Sequence, residues 1–493
     1  MLKTSFGFIG IALVALFGAD LEVLTLDPWG ELGRMASGVV TPDWSALWSY
    51  REALLQTVVF ALCGTSLGAV LGAGLAAGFH WTPVRSFCAL IRAIHELFWA
   101  LLFLPLLGLN AVCGLLAIAV PYAGIFAKVY AETIQESNAR PREALPAQTS
   151  RLSRFAYAIL PVVWADLRNY TAYRFECALR SSAVLGFIGL PTLGFHLETA
   201  LREGLYSEAG ALLLAFYLLI GSLRWWLRAR WAPLWVLLAW GWLPKTTHFS
   251  WENLTRFLTW DILPWPLRRE GFYAGTQSVQ WDVNGLLDWG WELARGDVWD
   301  GVLNTLVLTQ IALVTTGLLT LMLFPGASHR FTGAWGRRLM HSLLIVLRTT
   351  PEYLLAYVFV LLWGPSMLPA IAAITLHNGA ILAFLVSQRA DLTLLRPDLP
   401  RRRLDRYLYE SLPRLYGPFL ALLFYRWEIM MRESALLGML GVATLGYYID
   451  SGFAEEQLDV ALALLIVTAL LNLLVDQLSQ TIRHHLRRET VLT

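Results

Sequence analysis

The feature that most constrains this chain is the recurrence of long apolar stretches, because a helix needs roughly 20 apolar residues to cross a bilayer core of about 30 Å. In the first half they run Ser5 to Ala19, Ala53 to Phe79, Phe87 to Leu107, Leu109 to Val129, Val162 to Ala178 and Ala209 to Leu223. In the second they run Trp231 to Leu243, Gly301 to Phe324, Leu343 to Trp363, Leu368 to Val386, Tyr416 to Met431 and Val460 to Val475. Only 15% of the 493 residues are charged, against about a quarter in a soluble domain. The expected fold is all-α: a polytopic membrane protein with about twelve transmembrane helices, six in each half. Ser5 to Ala19 follows Lys3 as a secretory signal would, but no small-x-small cleavage site precedes Asp20, so it counts as a retained helix.

The 38 Lys+Arg nearly balance 36 Asp+Glu, which gives no case for a nucleic-acid partner; the charges matter by position. Basic residues favour the cytoplasmic side of a span. Arg140, Arg142 and Arg151 in one loop, Arg389, Arg396, Arg401, Arg402, Arg403 and Arg406 in its counterpart, and the tail Arg483, Arg487 and Arg488 all fall on one side of a twelve-span arrangement. Both termini are then expected in the cytoplasm, and the Trp-rich stretch Lys245 to Trp299 outside, its indoles suited to the membrane interface or to docking of a partner protein. The cysteines Cys63, Cys88, Cys113 and Cys177 lie in apolar stretches without metal-ligand spacing and read as buried thiols.

A period of about 250 residues relates the halves. Tyr173-Arg174-Phe175-Glu176 answers Tyr425-Arg426-Trp427-Glu428. Arg180, Ser182, Ala183, Leu185, Gly186, Gly189, Thr192, Leu193 and Gly194 then answer Arg432, Ser434, Ala435, Leu437, Gly438, Gly441, Thr444, Leu445 and Gly446 without a gap. Arg92 and Glu96 answer Arg348 and Glu352, and Leu55-Gln56-Thr57 answers Leu303-Asn304-Thr305. The chain therefore reads as a tandem duplication, residues 1–228 and 229–493, with parallel repeats.

Between the fourth and fifth segments lies Glu143-Ala144-Leu145, followed by Ile159-Leu160-Pro161. This resembles the cytoplasmic loop of ABC importer permeases, a Glu-Ala-Ala followed by Ile-x-Leu-Pro, although the usual intervening Gly is missing. The second loop keeps Leu412-Pro413 but replaces the acidic start with an Arg-rich run that includes Arg401, Arg402 and Arg403. The Tyr-Arg-aromatic-Glu string and the Arg-x-x-Pro-Glu of Arg348 to Glu352 are similar to the phosphonate-type branch of these permeases; His95 stands in place of the Pro in the first half. The resemblance implies a type I importer fold in the bacterial inner membrane. It also implies an extracytoplasmic solute-binding protein, separate cytoplasmic ABC ATPase subunits that dock on the two loops, and a phosphonate or related phosphorus oxyanion as cargo.

Ionisable groups within spans are costly and so are functional candidates. Glu176 with Arg180 and Glu428 with Arg432 have the i,i+4 spacing of helix ion pairs, which leaves Arg174 and Arg426 to line an anion path or to hold the bundle together. Arg92 with Glu96 and Arg348 with Glu352 share that spacing and read as structural pairs. The glycines after Arg180 and Arg432 suit either a helix break or close packing. No GxxxxGK[ST] phosphate loop occurs, so ATP and Mg are expected only on the partner ATPase, with no cofactor on this chain and no enzymatic activity of its own. The competing expectation is a secondary transporter with parallel repeats.

Overall fold

The computed structural model describes residues 2–138, 140–146, 148–228, 230–245, 250–270, 277–393 and 402–492. The apolar segments become helices: α1 Leu2–Ala15, α2 Arg51–Ala77, α3 Thr82–Ala93, α4 Glu96–Leu107, α5 Ala111–Glu136, α6 Leu160–Val184, α7 Leu193–Arg202, α8 Tyr206–Gly221 and α9 Ala232–Trp242. The second series is α10 Trp299–Ala327, α11 Ala334–Thr349, α12 Glu352–Trp363, α13 Met367–Leu392, α14 Leu412–Leu437, α15 Leu445–Ala454 and α16 Leu458–Leu492. In the Trp-rich stretch a short ribbon, β1 (Arg268–Glu270) antiparallel to β2 (Gln277–Val279), interrupts the helices.

Five helical stretches are long and apolar enough to cross a bilayer unaided, and nine if four bent pairs each count as one crossing. Helices α1, α8 and α9, with 14, 16 and 11 residues, fall short of the roughly 20 residues a full crossing needs. The expected count of twelve is therefore not reached by length and composition among the described residues.

The chain forms two compact units, Met35–Phe257 and Met1–Arg34 with Leu258–Thr493. The sequence repeat divides the chain differently. The leading helix of the first repeat, α1, belongs to the unit built from the second, whereas α9, which leads the second repeat, belongs to the unit built from the first. Within its unit α1 is fixed by polar contacts that an apolar interior makes specific: Gln310 donates to the Phe8 carbonyl at 2.9 Å and the Tyr416 hydroxyl to Ser5 Oγ at 2.6 Å. Helix α9 is fixed on α2 by Trp240 Nε1, which donates to Ser66 Oγ at 3.1 Å.

Each third segment, expected as one span, is two helices meeting at an elbow, 94° between α3 and α4 and 93° between α11 and α12. In the second repeat Pro351 presets the extended turn; in the first, His95 caps α4, its Nδ1 accepting from Leu97 N at 3.2 Å. A helix end leaves carbonyls orphaned, and the repeats satisfy equivalent ones differently. Ile91 O accepts from Trp99 Nε1 at 3.1 Å, while Leu347 O and Thr350 O face His377 Nδ1 at 3.3 and 3.0 Å. The elbow also corrects one expectation. Arg92 and Glu96, like Arg348 and Glu352, stand on the two arms of the elbow and not on one continuous helix.

The glycines left open between break and packing do both. Helix α6 tightens to a 3₁₀ turn, passes Gly189 at φ +90° and resumes as α7 bent by 54°. Helix α14 does the same through Gly441 at φ +87°, into α15 bent by 47°. Positive φ is the region glycine enters without steric cost. The returning strand of chain then packs backbone on backbone: a Cβ on Gly194 would lie 1.8 Å from the Ala183 carbonyl oxygen, and one on Gly446 1.6 Å from that of Ala435. The repeated Thr57 and Thr305 find their purpose here, each Oγ1 accepting the first amide of the returning helix, from Leu193 at 2.9 Å and Leu445 at 3.1 Å.

Candidate coupling and anion sites

Pro161 and Pro413 have no N–H, so the turn entering α6 and α14 cannot keep the ordinary α bonding. In both repeats it widens to a π turn: Leu160 N donates to Phe155 O and Leu412 N to Tyr407 O, five residues back. Upstream in the first repeat, Arg140–Glu143 makes one helical turn, closed by Ala144 N donating to Arg140 O at 3.1 Å. Glu143 and Ala144 are exposed and Leu145 half-buried, so this turn offers an accessible carboxylate. In the second loop Arg401 lies outside the described residues and Arg402 is exposed. Arg403 donates to Phe331 O at 3.1 Å, which ties the loop to the chain just beyond α10.

The two repeat-related arginines have different surroundings. The Arg174 guanidinium rests 4.3 Å over the ring of Tyr122 on α5. Its Nε is buried and without a hydrogen-bond partner among the described residues, as is the hydroxyl of Tyr122, whose side chain is fully buried. A desolvated cation–π contact contributes about 2 kcal/mol but leaves the N–H donors unspent. Glu96, near this pair, lies 3.4 Å from His95 Nε2 and accepts from Ser181 Oγ at 3.4 Å.

Arg426 is instead built into a polar network. Its Nε donates to Asn378 Oδ1 at 2.7 Å, and its Nη2 lies 3.7 Å from Glu433 Oε1. Asn378 Nδ2 donates to Glu433 Oε2 at 2.9 Å, and His377 Nε2 lies 3.6 Å from Glu352 Oε1. Asn378 holds the position in α13 that Tyr122 holds in α5, and Glu433 the position of Ser181. These four residues and His377 were not among the sequence candidates, because identities define a repeat. The signal was the opposite one, the places where the aligned repeats change chemistry.

The remaining candidates extend the same helices. Glu176 is half-buried; Arg180 Nη2 contacts Cys177 Sγ at 3.5 Å; Glu428 and Arg432 lie beyond Arg426 on α14, and both pairs sit on unbroken helix, so their i,i+4 spacing stands. A cavity of about 1350 Å³ in the Met35–Phe257 unit is walled mostly by apolar groups such as Leu62, Ala73, Phe155 and Phe175, with Arg168 and Asn169 also on its lining; Arg174 is not among the lining residues. Such mainly apolar walls suit hydrocarbon better than an anion.

The chain is 26% identical over 474 residues to the phosphate-import permease protein PhnE of Mycolicibacterium smegmatis, which covers 88% of this chain and 85% of that protein. It is 27% identical over 223 residues to the phosphite transport system permease protein PtxC of Stutzerimonas stutzeri, a stretch that takes in 43% of this chain and 81% of the relative. The chain is similar along most of its length to permeases of the phosphonate type. A putative cryptic phosphonate transport system permease protein of Escherichia coli, PhnE2, matches at 28% over 110 residues, 22% of this permease and 90% of that protein. That less than half of the permease accounts for most of PtxC agrees with its internal duplication. No family model and no solved structure matches. The permease is a multi-pass inner-membrane component of a transport system, and not an enzyme.

Proposed function

We propose that the chain is the membrane-spanning subunit of an ATP-driven importer of a phosphorus oxyanion, phosphate, phosphite or a phosphonate, fed by an extracytoplasmic solute-binding protein. The observation that carries this reading is the similarity along 88% of the chain to a phosphate-import permease, together with shorter matches to phosphite and phosphonate permeases. Two cytoplasmic ATPase subunits supply ATP and Mg, since this sequence holds no loop of backbone amides for nucleotide phosphates. They dock on the two loops ahead of the Leu-Pro turns. On the first, Glu143, Ala144 and Leu145 form the contact; on the second, Arg401, Arg402 and Arg403 take that place, with Arg403 also anchored to Phe331. The wide π turn at Pro161 and Pro413 joins each loop directly to the helix that bears Arg174 or Arg426, so a push on the loop is delivered to that helix.

The test is reconstitution in proteoliposomes with the ATPase and binding protein, followed by uptake of phosphate, phosphite and methylphosphonate. Uptake that requires ATP and the binding protein is expected. Uptake by the chain alone, driven by an ion gradient, would instead establish a secondary transporter.

A further inference from the structure

We infer that the two repeats have divided their labour: the first alone carries the oxyanion contact, made by Arg174 and the Tyr122 hydroxyl, and Arg426 has become a structural residue. This rests on the proposed import of a phosphorus oxyanion and names where, within the chain, that anion is recognised.

An oxyanion binds where donors have capacity left, and a guanidinium meets it best through two parallel N–H bonds. Arg174 meets that condition. Stacking on Tyr122 fixes the guanidinium plane without using an N–H, its Nε is buried with no acceptor, and no carboxylate lies within 4.0 Å among the described residues. The Tyr122 hydroxyl, at the rim of the same ring, is a second buried donor that makes no close hydrogen bond, with Ser181 as a polar neighbour. Leaving such groups unsatisfied is unfavourable, and a bound anion would remove that cost.

Arg426 meets that condition less well: its Nη2 also lacks a hydrogen-bond partner among the described residues, but a carboxylate already faces the guanidinium. Asn378 Oδ1 takes its Nε–H, and Glu433 lies at 3.7 Å, itself held in place by Asn378 Nδ2. Glu352 and Glu433 offer carboxylate oxygens within 4.8 Å of each other and of His377, so an incoming anion would meet two acids there, where the first repeat has only Glu96. The difference comes from two exchanges at aligned positions, Tyr122 for Asn378 and Ser181 for Glu433. The second exchange supplies an internal counter-charge, and this substitutes for a ligand.

The experiment uses the full importer in proteoliposomes, with thermal unfolding measured on the same preparations. Arg174→Lys keeps the charge and loses the fork; uptake of the transported anion should fall about tenfold or more with the unfolding temperature unchanged. Arg426→Lys should lower the unfolding temperature and membrane level, yet keep uptake per folded molecule within about threefold. Ser181→Glu, which installs the second repeat's acid beside Arg174, should abolish uptake, while Ser181→Gln of matching size should retain it. Normal uptake by Arg174→Lys, or an equal loss in Arg426→Lys at full stability, overturns the assignment alone. A wild-type importer that moves none of phosphate, phosphite and methylphosphonate overturns the cargo reading, and the assignment with it.

Discussion

The returning turn after α6 and α14 makes the sharpest stability prediction, because its tolerance is set by backbone and not by side chains that can move. Replacing Gly194 by Ala puts a Cβ 1.8 Å from the Ala183 carbonyl oxygen, and replacing Gly446 puts one 1.6 Å from that of Ala435. Ordinary contact starts at 3.4 Å, so two backbone segments must part by about as much again as the space they now leave. That separation stretches the cap from Thr57 to Leu193 N, or from Thr305 to Leu445 N, beyond hydrogen-bonding range. Overpacking against backbone and one broken buried hydrogen bond together cost about 3–5 kcal/mol. In the purified protein this should appear as a fall in unfolding temperature of about 3–5 °C. Gly74→Ala on α2, where nothing lies within 4 Å of the added carbon, is the matched control and should leave stability unchanged or raise it by up to about 1 kcal/mol. Gly194→Ala unfolding within about 2 °C of wild type, in a well-behaved preparation, would refute the close-approach argument.

Thr57→Val and Thr305→Val remove the hydroxyl that accepts the first amide of α7 and α15, and each should cost about 1–2 kcal/mol by thermal unfolding. Glu456 sits at φ +58° where the first repeat has Gly204 at +74°, so Glu456→Gly should stabilise by about 0.5–1 kcal/mol in the same assay. In the reconstituted importer, Glu143→Arg should depress ATP-dependent uptake more than Arg402→Glu at equal expression, since among the described residues of the two loops Glu143 is the exposed acid on a helical turn; the reverse ranking would count against unequal docking. Single cysteines at Gln148 and Arg402 should label from the cytoplasmic face and one at Trp265 from outside, in a chain freed of Cys63, Cys88, Cys113 and Cys177; cytoplasmic labelling of position 265 would overturn the orientation read from the basic loops.

Hydropathy and the Leu-Pro turns were legible from the sequence because each acts locally. A lipid-facing segment must satisfy its own backbone, so an apolar run of sufficient length is already a helix. A proline that lacks a donor disturbs its own turn wherever it sits. Tertiary structure decided what depends on residues far apart in the chain. The elbow at Pro351 is closed by His377, 30 residues beyond the Leu347 carbonyl it meets. Helices α1 and α9 pack in the unit formed by the other repeat, through contacts as distant as Gln310 to Phe8. Arg174 and Arg426 look alike in sequence, but one meets an aromatic ring on α5 and the other meets Asn378, 48 residues away on α13, and Glu433. Hydropathy and helix-breaking residues act through the nearest few peptide units; the character of a buried charge is set by whichever side chains the fold brings within a few ångströms of it, and no local pattern encodes that.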